Sequence, residues 1–349
     1  MNPISITLGD PAGIGPEIIV KAFRDGGALM AGCFVAGDIE CLRRGAAAVR
    51  HGQAEVPVAV IASPAQAAGI PPRCIPLLQV VAAQALPPIA QISAAAGRIA
   101  ADCVTWAARA ALRGEIAALV TAPLHKEALG AAGVRFPGHT ELLQAEAAAF
   151  AGKTVADLPV RMMLASDELR TVLVSIHMSL RDAIEAVNFD NVLQTLRITH
   201  VSLSAMLGRK PRIGVAGLNP HAGEGGLFGR EEADVIVPAV QAAQAEGIAA
   251  SGPFAPDTIF MRARSSSNRQ GEFDAVVAMY HDQGLIPVKY LGVDKGVNVT
   301  LGLPMVRTSP DHGTAFDIAG TGRADSASLL EAVRMARLLS AGPLLVRAA

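Results

Sequence analysis

The stretch Asp274-Ala-Val-Val-Ala-Met-Tyr280-His281 decides how this chain is read, because a run of β-branched and small apolar residues ends on an imidazole. Thr171-Val-Leu-Val-Ser-Ile176 delivers His177 in the same way, and Arg212-Ile-Gly-Val-Ala-Gly-Leu218 leads through Asn219-Pro220 to His221. Apolar runs of this length, separated by helical stretches, read as buried parallel strands. In an open parallel sheet the carboxyl ends of the strands share one edge, and ligands bind in the crevice there. Imidazoles delivered to that edge are a donor set for a metal with three protein ligands and an open position. The competing reading is unrelated strand-end histidines bonded to nearby carbonyls.

Working outward, the 349 residues leave room for two domains or one large α/β unit. Hydrophobic residues make up 51% and charged ones 17%, so a sizeable core is available. A formal net charge of −1 argues against an electrostatic nucleic-acid binder, while leaving local basic residues free to hold an anionic metabolite. Cys33, Cys41, Cys74 and Cys103 form no CxxC pair and read as reduced thiols of a cytoplasmic protein. No signal peptide and no apolar run of membrane-spanning length is visible.

The first strand, Ile4 to Leu8, breaks into Gly9-Asp-Pro-Ala-Gly-Ile-Gly-Pro16, with a helix expected from about Glu17. Further strands are expected at Cys33–Ala36, Val58–Ile61 and Ala117–Thr121, and helices at Ser93–Arg113, Glu141–Phe150 and Ser326–Leu339. Thr140 is placed to N-cap the second of these helices. Ser265 to Glu272 reads as an exposed polar insertion. The pattern is α/β throughout.

Several segments carry chemistry. The Gly9–Pro16 turn lacks both the Gly-x-Gly-x-x-Gly spacing and the Gly-Lys-Ser/Thr of a P-loop, so a tight turn explains it, although its amides could hold an anion. Gly138-His139-Thr140-Glu141 opens a helix and makes a plausible anion site. Asn219 to Gly226 is a small-residue loop suited to close approach of a ligand. Asp282 follows His281, but adjacent residues on an extended chain point oppositely, so it need not be that histidine's partner. Asp257 is either a carboxylate near the site or a helix N-cap. Lys289, Asn298 and Arg307 together look like a clamp for carboxylate or phosphate. Asp311 to Asp325, with Gly313, Gly320 and Gly322 beside His312 and Asp317, reads as a cofactor-binding loop.

These segments lead to a family. GDPAGIGPE (9–17), TAPLHKEALGAAG (121–133), FPGHTELL (136–143), LNPHAGEGGLFGREE (218–232), PFAPDTIF (253–260), AMYHDQGLIPVKYLG (278–292) and GVNVTLGLPMVRTSPDHGTAFDIAGTGRAD (296–325) resemble the PdxA family of vitamin B6 biosynthesis, the 4-hydroxythreonine-4-phosphate dehydrogenases. The resemblance spans nearly the whole chain. It implies two α/β/α domains with a central cleft, isopropylmalate-dehydrogenase-like, here 1–130 plus 308–349 on the cofactor side and 131–307 on the metal, substrate and dimer side. It implies that His177, His221 and His281 ligate a divalent metal (zinc, cobalt or magnesium) at a homodimer interface, one histidine coming from the partner. Substrate contacts fall on His139, Thr140, Lys289, Asn298 and Arg307. NAD or NADP is expected on the loop of His312, Gly313, Thr314, Ala315, Asp317 and Gly320, and Asp257 and Lys126 are candidate proton acceptors. The implied reaction oxidises 4-phosphooxy-L-threonine to a 3-oxo acid that decarboxylates. Superfamily relatives that oxidise D-threonate phosphates supply the alternative. A metabolite sensor using the same cleft would be marked by an appended effector or DNA-binding module, and none is visible. A metal-dependent phosphohydrolase would want carboxylates bridging two metals and would not need the glycine loop after His312.

Overall fold

The computed structural model describes residues 2–50, 54–82, 84–292 and 296–341, so the last eight residues of the expected cofactor-side domain lie outside the described residues. Two compact units emerge, Met1–Pro159 with Leu303–Ser340, and Val160–Gly302.

The first unit is a parallel sheet. Its strands are β1 (Ile4–Thr7), β2 (Cys33–Gly37), β3 (Val58–Val60), β4 (Ile75–Gln79), β5 (Ala118–Thr121) and the last strand of the chain, β12 (Val306–Pro310). They lie in the order β3-β4-β2-β1-β5-β12, every pair parallel. Ile6, Phe34, Leu77 and Leu119 are fully buried on these strands, as continuous apolar runs covered on both faces require. The helix expected from about Ser93 forms close to its expected limits, a second one that the sequence reading did not place follows β2, and polar caps explain where both start. Ser93 accepts from Ala96 N at 3.2 Å to begin α3 (Ala94–Leu112), and Asp38 accepts from Cys41 N at 2.9 Å to begin α2 (Ile39–Val49). The alanine content of α3 has a packing reason. A Cβ at Gly97 would lie 1.9 Å from Ala128 O in α4 (Lys126–Ala131), so the helices approach almost backbone to backbone. Helix α5 (His139–Phe150) also packs on α3 and therefore belongs to this unit, although the sequence reading put residues 131–159 in the other domain.

The second unit contains the three histidine strands. Its strands run in the order β11 (Val297–Leu301), β6 (Arg161–Ala165), β7 (Arg170–Leu173), β10 (Ala275–Ala278), β8 (Ile213–Ala216) and β9 (Ala250–Phe254). β7, β10 and β8 are adjacent and parallel, so their carboxyl ends share one edge, as the apolar runs predict. The expectation of simple strand–helix alternation fails at β6–β7, which is an antiparallel hairpin, and at β11, which runs antiparallel to β6. Only four residues separate β6 from β7, too few for the crossover a parallel pair needs. Leu164, Leu173, Val276, Ile259, Leu285 and Val288 form the core against β10. The polar insertion is anchored at its base, where Arg262 pairs with Glu272 at 2.8 Å and lies over the Phe254 ring at 4.3 Å.

Asp274 staples the entry to two of these strands. Its buried carboxylate accepts from Arg209 at 2.7 and 2.9 Å, from Arg212 N at 2.7 Å and from the Arg212 guanidinium at 3.2 Å. Burial alone would raise its pKa, but the hydrogen bonds from Arg209 and Arg212 outweigh burial and hold the carboxyl well below the usual carboxylate range. A depressed folded-state pKa means stability that is present above the unfolded value near 3.9 and lost as pH falls toward the folded one. Asp274→Asn is therefore expected to cost about 1–3 kcal/mol at neutral pH in urea unfolding. The gap to wild type should shrink below about pH 4; an unchanging gap would argue against the staple.

Candidate active site

His177 and His281 come together. His177 follows β7 by way of Ile176, and His281 opens α10 (His281–Tyr290) after β10. Their ring centroids lie 5.7 Å apart, on a cavity of about 500 Å³ whose lining includes Ile176, Leu180, Ala183, Tyr280 and Asp282. His281 Nδ1 lies 2.6 Å from Asp282 Oδ1, which corrects the expectation that the neighbours point apart. The chain is helical at His281, so successive side chains are not on opposite faces. With Nδ1 held by a carboxylate, Nε2 is the nitrogen available to a metal, an arrangement common in metal-ligating histidines. Gln283 steadies this helix start by accepting from Met279 N at 2.7 Å and donating to Gly217 O at 2.8 Å.

His221 is presented differently. Residues 221–225 all have positive φ, from 43° at Glu224 to 81° at Gly223, so the loop is a short left-handed turn with three non-glycine residues in it. Glu232, which sequence reasoning missed, holds the base of the turn. One buried carboxylate oxygen accepts from Leu218 N and Asn219 N at 2.7 Å each, and the other accepts from Asn219 Nδ2 at 2.9 Å. Nothing in the spacing of Glu232 from His221 signals this. Ala222 (φ 53°, ψ 45°) sits in a region that costs a residue with a Cβ about 1–2 kcal/mol. Ala222→Gly should raise stability by about 0.5 kcal/mol after the entropy glycine loses on folding, whereas Ala222→Val should lower it by more than about 1 kcal/mol. Urea midpoints that move in the same direction for both variants would contradict the strained turn. Among the described residues, no group of three or more His, Cys, Asp or Glu is placed to hold a metal ion, so His221 does not complete a triad with the other two.

Lys289 lies in the last turn of α10 and Asn298 on β11, both half-buried in this second unit. Asp257 is exposed in the first turn of α9 (Pro256–Ala263), whose N-cap is Ala255, so its reading as a cap is corrected.

The first unit carries the other half of the expected site. Arg307 is 6% exposed on β12 and donates to Thr121 Oγ1 at 2.8 and 3.2 Å. Burial brings its pKa down to about 10 against the pull of the Glu141 carboxylate. Beside it, burial and the Arg307 charge push the His139 imidazole well below its ordinary value, while a hydrogen bond to the Ala122 backbone pulls the other way. His139 Nε2 is buried without a partner. His139 and Thr140 are the first two residues of α5, with extended Gly138 (φ −170°) as the N-cap, so Thr140 does not cap as expected. Thr140 instead stands in the first turn of a helix with no side-chain cap, next in sequence to His139 and Glu141, which both feel the Arg307 charge. Cation, imidazole, hydroxyl and helix N-terminus converge as an anion site does. Lys126 opens α4 and is exposed.

The glycine-rich segments of this unit meet each other. Gly13 lies where a Cβ would be 2.8 Å from Thr314 O, and Ile14 N donates to that oxygen at 3.0 Å. Phe316 stacks on His125 with ring centroids 5.0 Å apart. The turn at 9–16 thus forms a wall for the expected cofactor loop.

Comparison with known proteins gives the family. The family model described as pyridoxal phosphate biosynthetic protein PdxA matches residues 30–336. The chain belongs to the PdxA family. A PdxA relative from Beijerinckia indica subsp. indica, named 4-hydroxythreonine-4-phosphate dehydrogenase, is 49% identical over 338 residues, covering 94% of this chain and 92% of that one. One from Pectobacterium atrosepticum, named D-threonate 4-phosphate dehydrogenase, is 43% identical, covering 97% of this chain and 99% of that one. A crystal structure of 4-hydroxythreonine-4-phosphate dehydrogenase from Klebsiella pneumoniae aligns with a TM-score of 0.85 at 40% identity, covering 97% of this chain and all of that one. This PdxA chain is accordingly an oxidoreductase, a dehydrogenase of the kind that takes a nicotinamide cofactor. No helix among its described residues is long and apolar enough to cross a membrane.

Proposed function

We propose that the chain oxidises 4-phosphooxy-L-threonine with NAD or NADP to a 3-oxo acid that decarboxylates to 3-amino-2-oxopropyl phosphate. The observation that carries this reading is the buried Arg307–Thr121 pair beside the first turn of α5, where His139 keeps an unpartnered Nε2. A phosphorylated substrate offers the dianion and the acceptor oxygens that such a pocket needs. The second reading, oxidation of D-threonate 4-phosphate, is supported by the Pectobacterium relative's name.

The donor set fits a divalent metal. His281 is oriented by Asp282, His177 is its neighbour, and imidazole nitrogens suit zinc or cobalt better than magnesium, which prefers oxygen. When bound by His177, His281 and His221, the metal supplies Lewis-acid activation of the substrate hydroxyl and of the carbonyl formed from it. The rest is the work of the chain. In the first unit Arg307, His139 and Thr140 are the groups suited to an anionic end of the substrate, and in the second unit Lys289 and Asn298 are; holding an anionic end fixes the carbon attached to it. A bound nicotinamide would supply the hydride acceptor, and Lys126 or Asp257, both exposed and able to hand a proton to water, would take the hydroxyl proton. The oxo acid then loses carbon dioxide, leaving the bonding electron pair as an enolate that takes a proton.

Because His221 stands apart from the other two, we propose a cytoplasmic homodimer whose metal sites take ligands from both protomers. The exposed apolar residues Met178, Leu180, Ile184, Phe189, Leu227 and Tyr290, the last 90% exposed, support such an interface in the second unit. A panel of phosphorylated hydroxy acids, offered to metal-reconstituted protein with NAD or NADP, tests the reading through the absorbance of reduced nicotinamide. Fastest turnover with D-threonate 4-phosphate would install the second reading, and no reduction with any substrate would remove both.

A further inference from the structure

We infer that Glu17 is a positioning residue, a latch that holds the 312–322 loop in the shape that receives the dinucleotide. The inference rests on assigning that loop to the nicotinamide cofactor. Glu17 lies in the first turn of α1 (Gly15–Asp25) and is 2% exposed. One of its carboxylate oxygens accepts from Gly320 N at 2.5 Å and the other from Gly322 N at 2.7 Å. Both glycines have positive φ, 80° and 67°, so the loop bends back on itself and aims two amides, one on each side of Thr321, at one side chain. Only a carboxylate offers two acceptor oxygens there. Glutamine would turn an NH₂ toward one amide, and aspartate keeps both acceptor oxygens but reaches one methylene less far toward them.

The surroundings make the latch rigid. Arg44 donates to Pro11 O at 2.8 Å and to Pro87 O, and Ala90 N donates to Ala12 O at 2.8 Å, which ties the 9–17 turn to the segment around Ile89. Ile89 in turn lies 3.0 Å from where a Cβ on Gly320 would sit. Glu17, Arg44, Ile89 and Gly320 line one small cavity of about 10 Å³, space for about one water. A loop so glycine-rich would otherwise sample many conformations, and ordering it on binding would weaken affinity. A buried carboxylate bonded to two amides removes that ordering step beforehand.

The test uses the full chain and measures amide exchange at Gly320 and Gly322 together with titration by NAD and by NADP in the calorimeter. In the wild type both amides should exchange about a hundredfold slower than in an unstructured peptide. Glu17→Gln should speed that exchange by about 10–100-fold and weaken dinucleotide binding by about tenfold or more, the range set by one lost hydrogen bond to a charged group. KM for the dinucleotide should rise more than kcat falls, and Glu17→Asp should recover part of the loss. Unprotected amides in the wild type would overturn the latch even if no variant folds, as would a Glu17→Gln chain with unchanged exchange. Loosened amides with unchanged dinucleotide affinity would instead overturn the assignment of the loop to the cofactor, and with it the role given to Glu17.

Discussion

Subunits carrying His221→Ala and subunits carrying His281→Ala are each expected to lose at least about a thousandfold in turnover, yet their mixture should regain about a quarter of wild-type activity. The loss follows from the several kcal/mol that a metal contributes to charge stabilisation in the transition state, each 1.36 kcal/mol being tenfold in rate. The recovery follows from geometry. His177 and His281 lie ring to ring on one protomer, and among the described residues no third His, Cys, Asp or Glu groups with them to hold a metal. If a site takes the first two from one chain and His221 from the other, a mixed dimer of these variants has one intact site and one doubly damaged site. Random mixing makes about half the dimers mixed, and half their sites work. Mixing His177→Ala with His281→Ala should restore nothing, because both lesions then fall on the same half-site. Recovery in that second mixture, or none in the first, would redraw the division of ligands. Bound metal per subunit, measured alongside turnover, should follow the same pattern.

Replacing Arg307 by methionine is expected to lower kcat/KM for the phosphorylated substrate by about a hundredfold or more, chiefly through KM. Methionine keeps much of the volume of this buried side chain, so the fold should survive, but the buried charge facing the anion is gone. His139, Thr140 and the α5 N-terminus would then remain in this unit for the phosphate, none carrying a full charge with His139 held well below its ordinary pKa. Inorganic phosphate should compete with substrate in the wild type and fail to do so in the variant. An equal loss with an unphosphorylated analogue would argue against a phosphate clamp. The wild type carries a pH signature as well. Burial brings the Arg307 pKa down to about 10, and the charged form is the one present below that value. KM for the phosphorylated substrate should therefore hold level through neutral pH and climb as pH approaches about 10, a rise the methionine variant lacks.

The parts of this molecule that could be read early share one property: their signals are local. Apolar runs predicted β7, β8 and β10 and their common edge, and Ser93 and the alanine run predicted α3. The thiols fit the same pattern, with burial pushing Cys33 up to about 11 and Cys41 up to about 12, far from reactive. What misled was local geometry taken one step too far. Asp282 was placed on an extended chain when it stands in a helix, Thr140 was placed at a cap position that Gly138 occupies, and the β6–β7 hairpin passed for ordinary alternation.

By itself the sequence determined the residue types of the site: three imidazoles after apolar strands, a Lys/Asn/Arg set, and glycine loops where backbone must come close. Hydrophobic periodicity and the turn signals of glycine and proline act over a few residues, so they are legible in a single sequence. Only the tertiary structure decided which of those residues meet. Glu17 reaches amides 303 and 305 residues away, Arg307 finds Thr121 across 186, and Glu232 holds Asn219 from a different element. Such hydrogen bonds form because buried donors and acceptors must be satisfied wherever packing brings them together, and no spacing along the chain records that requirement. The turn that presents His221 is of the same kind, its base held by the Glu232 carboxylate from another element.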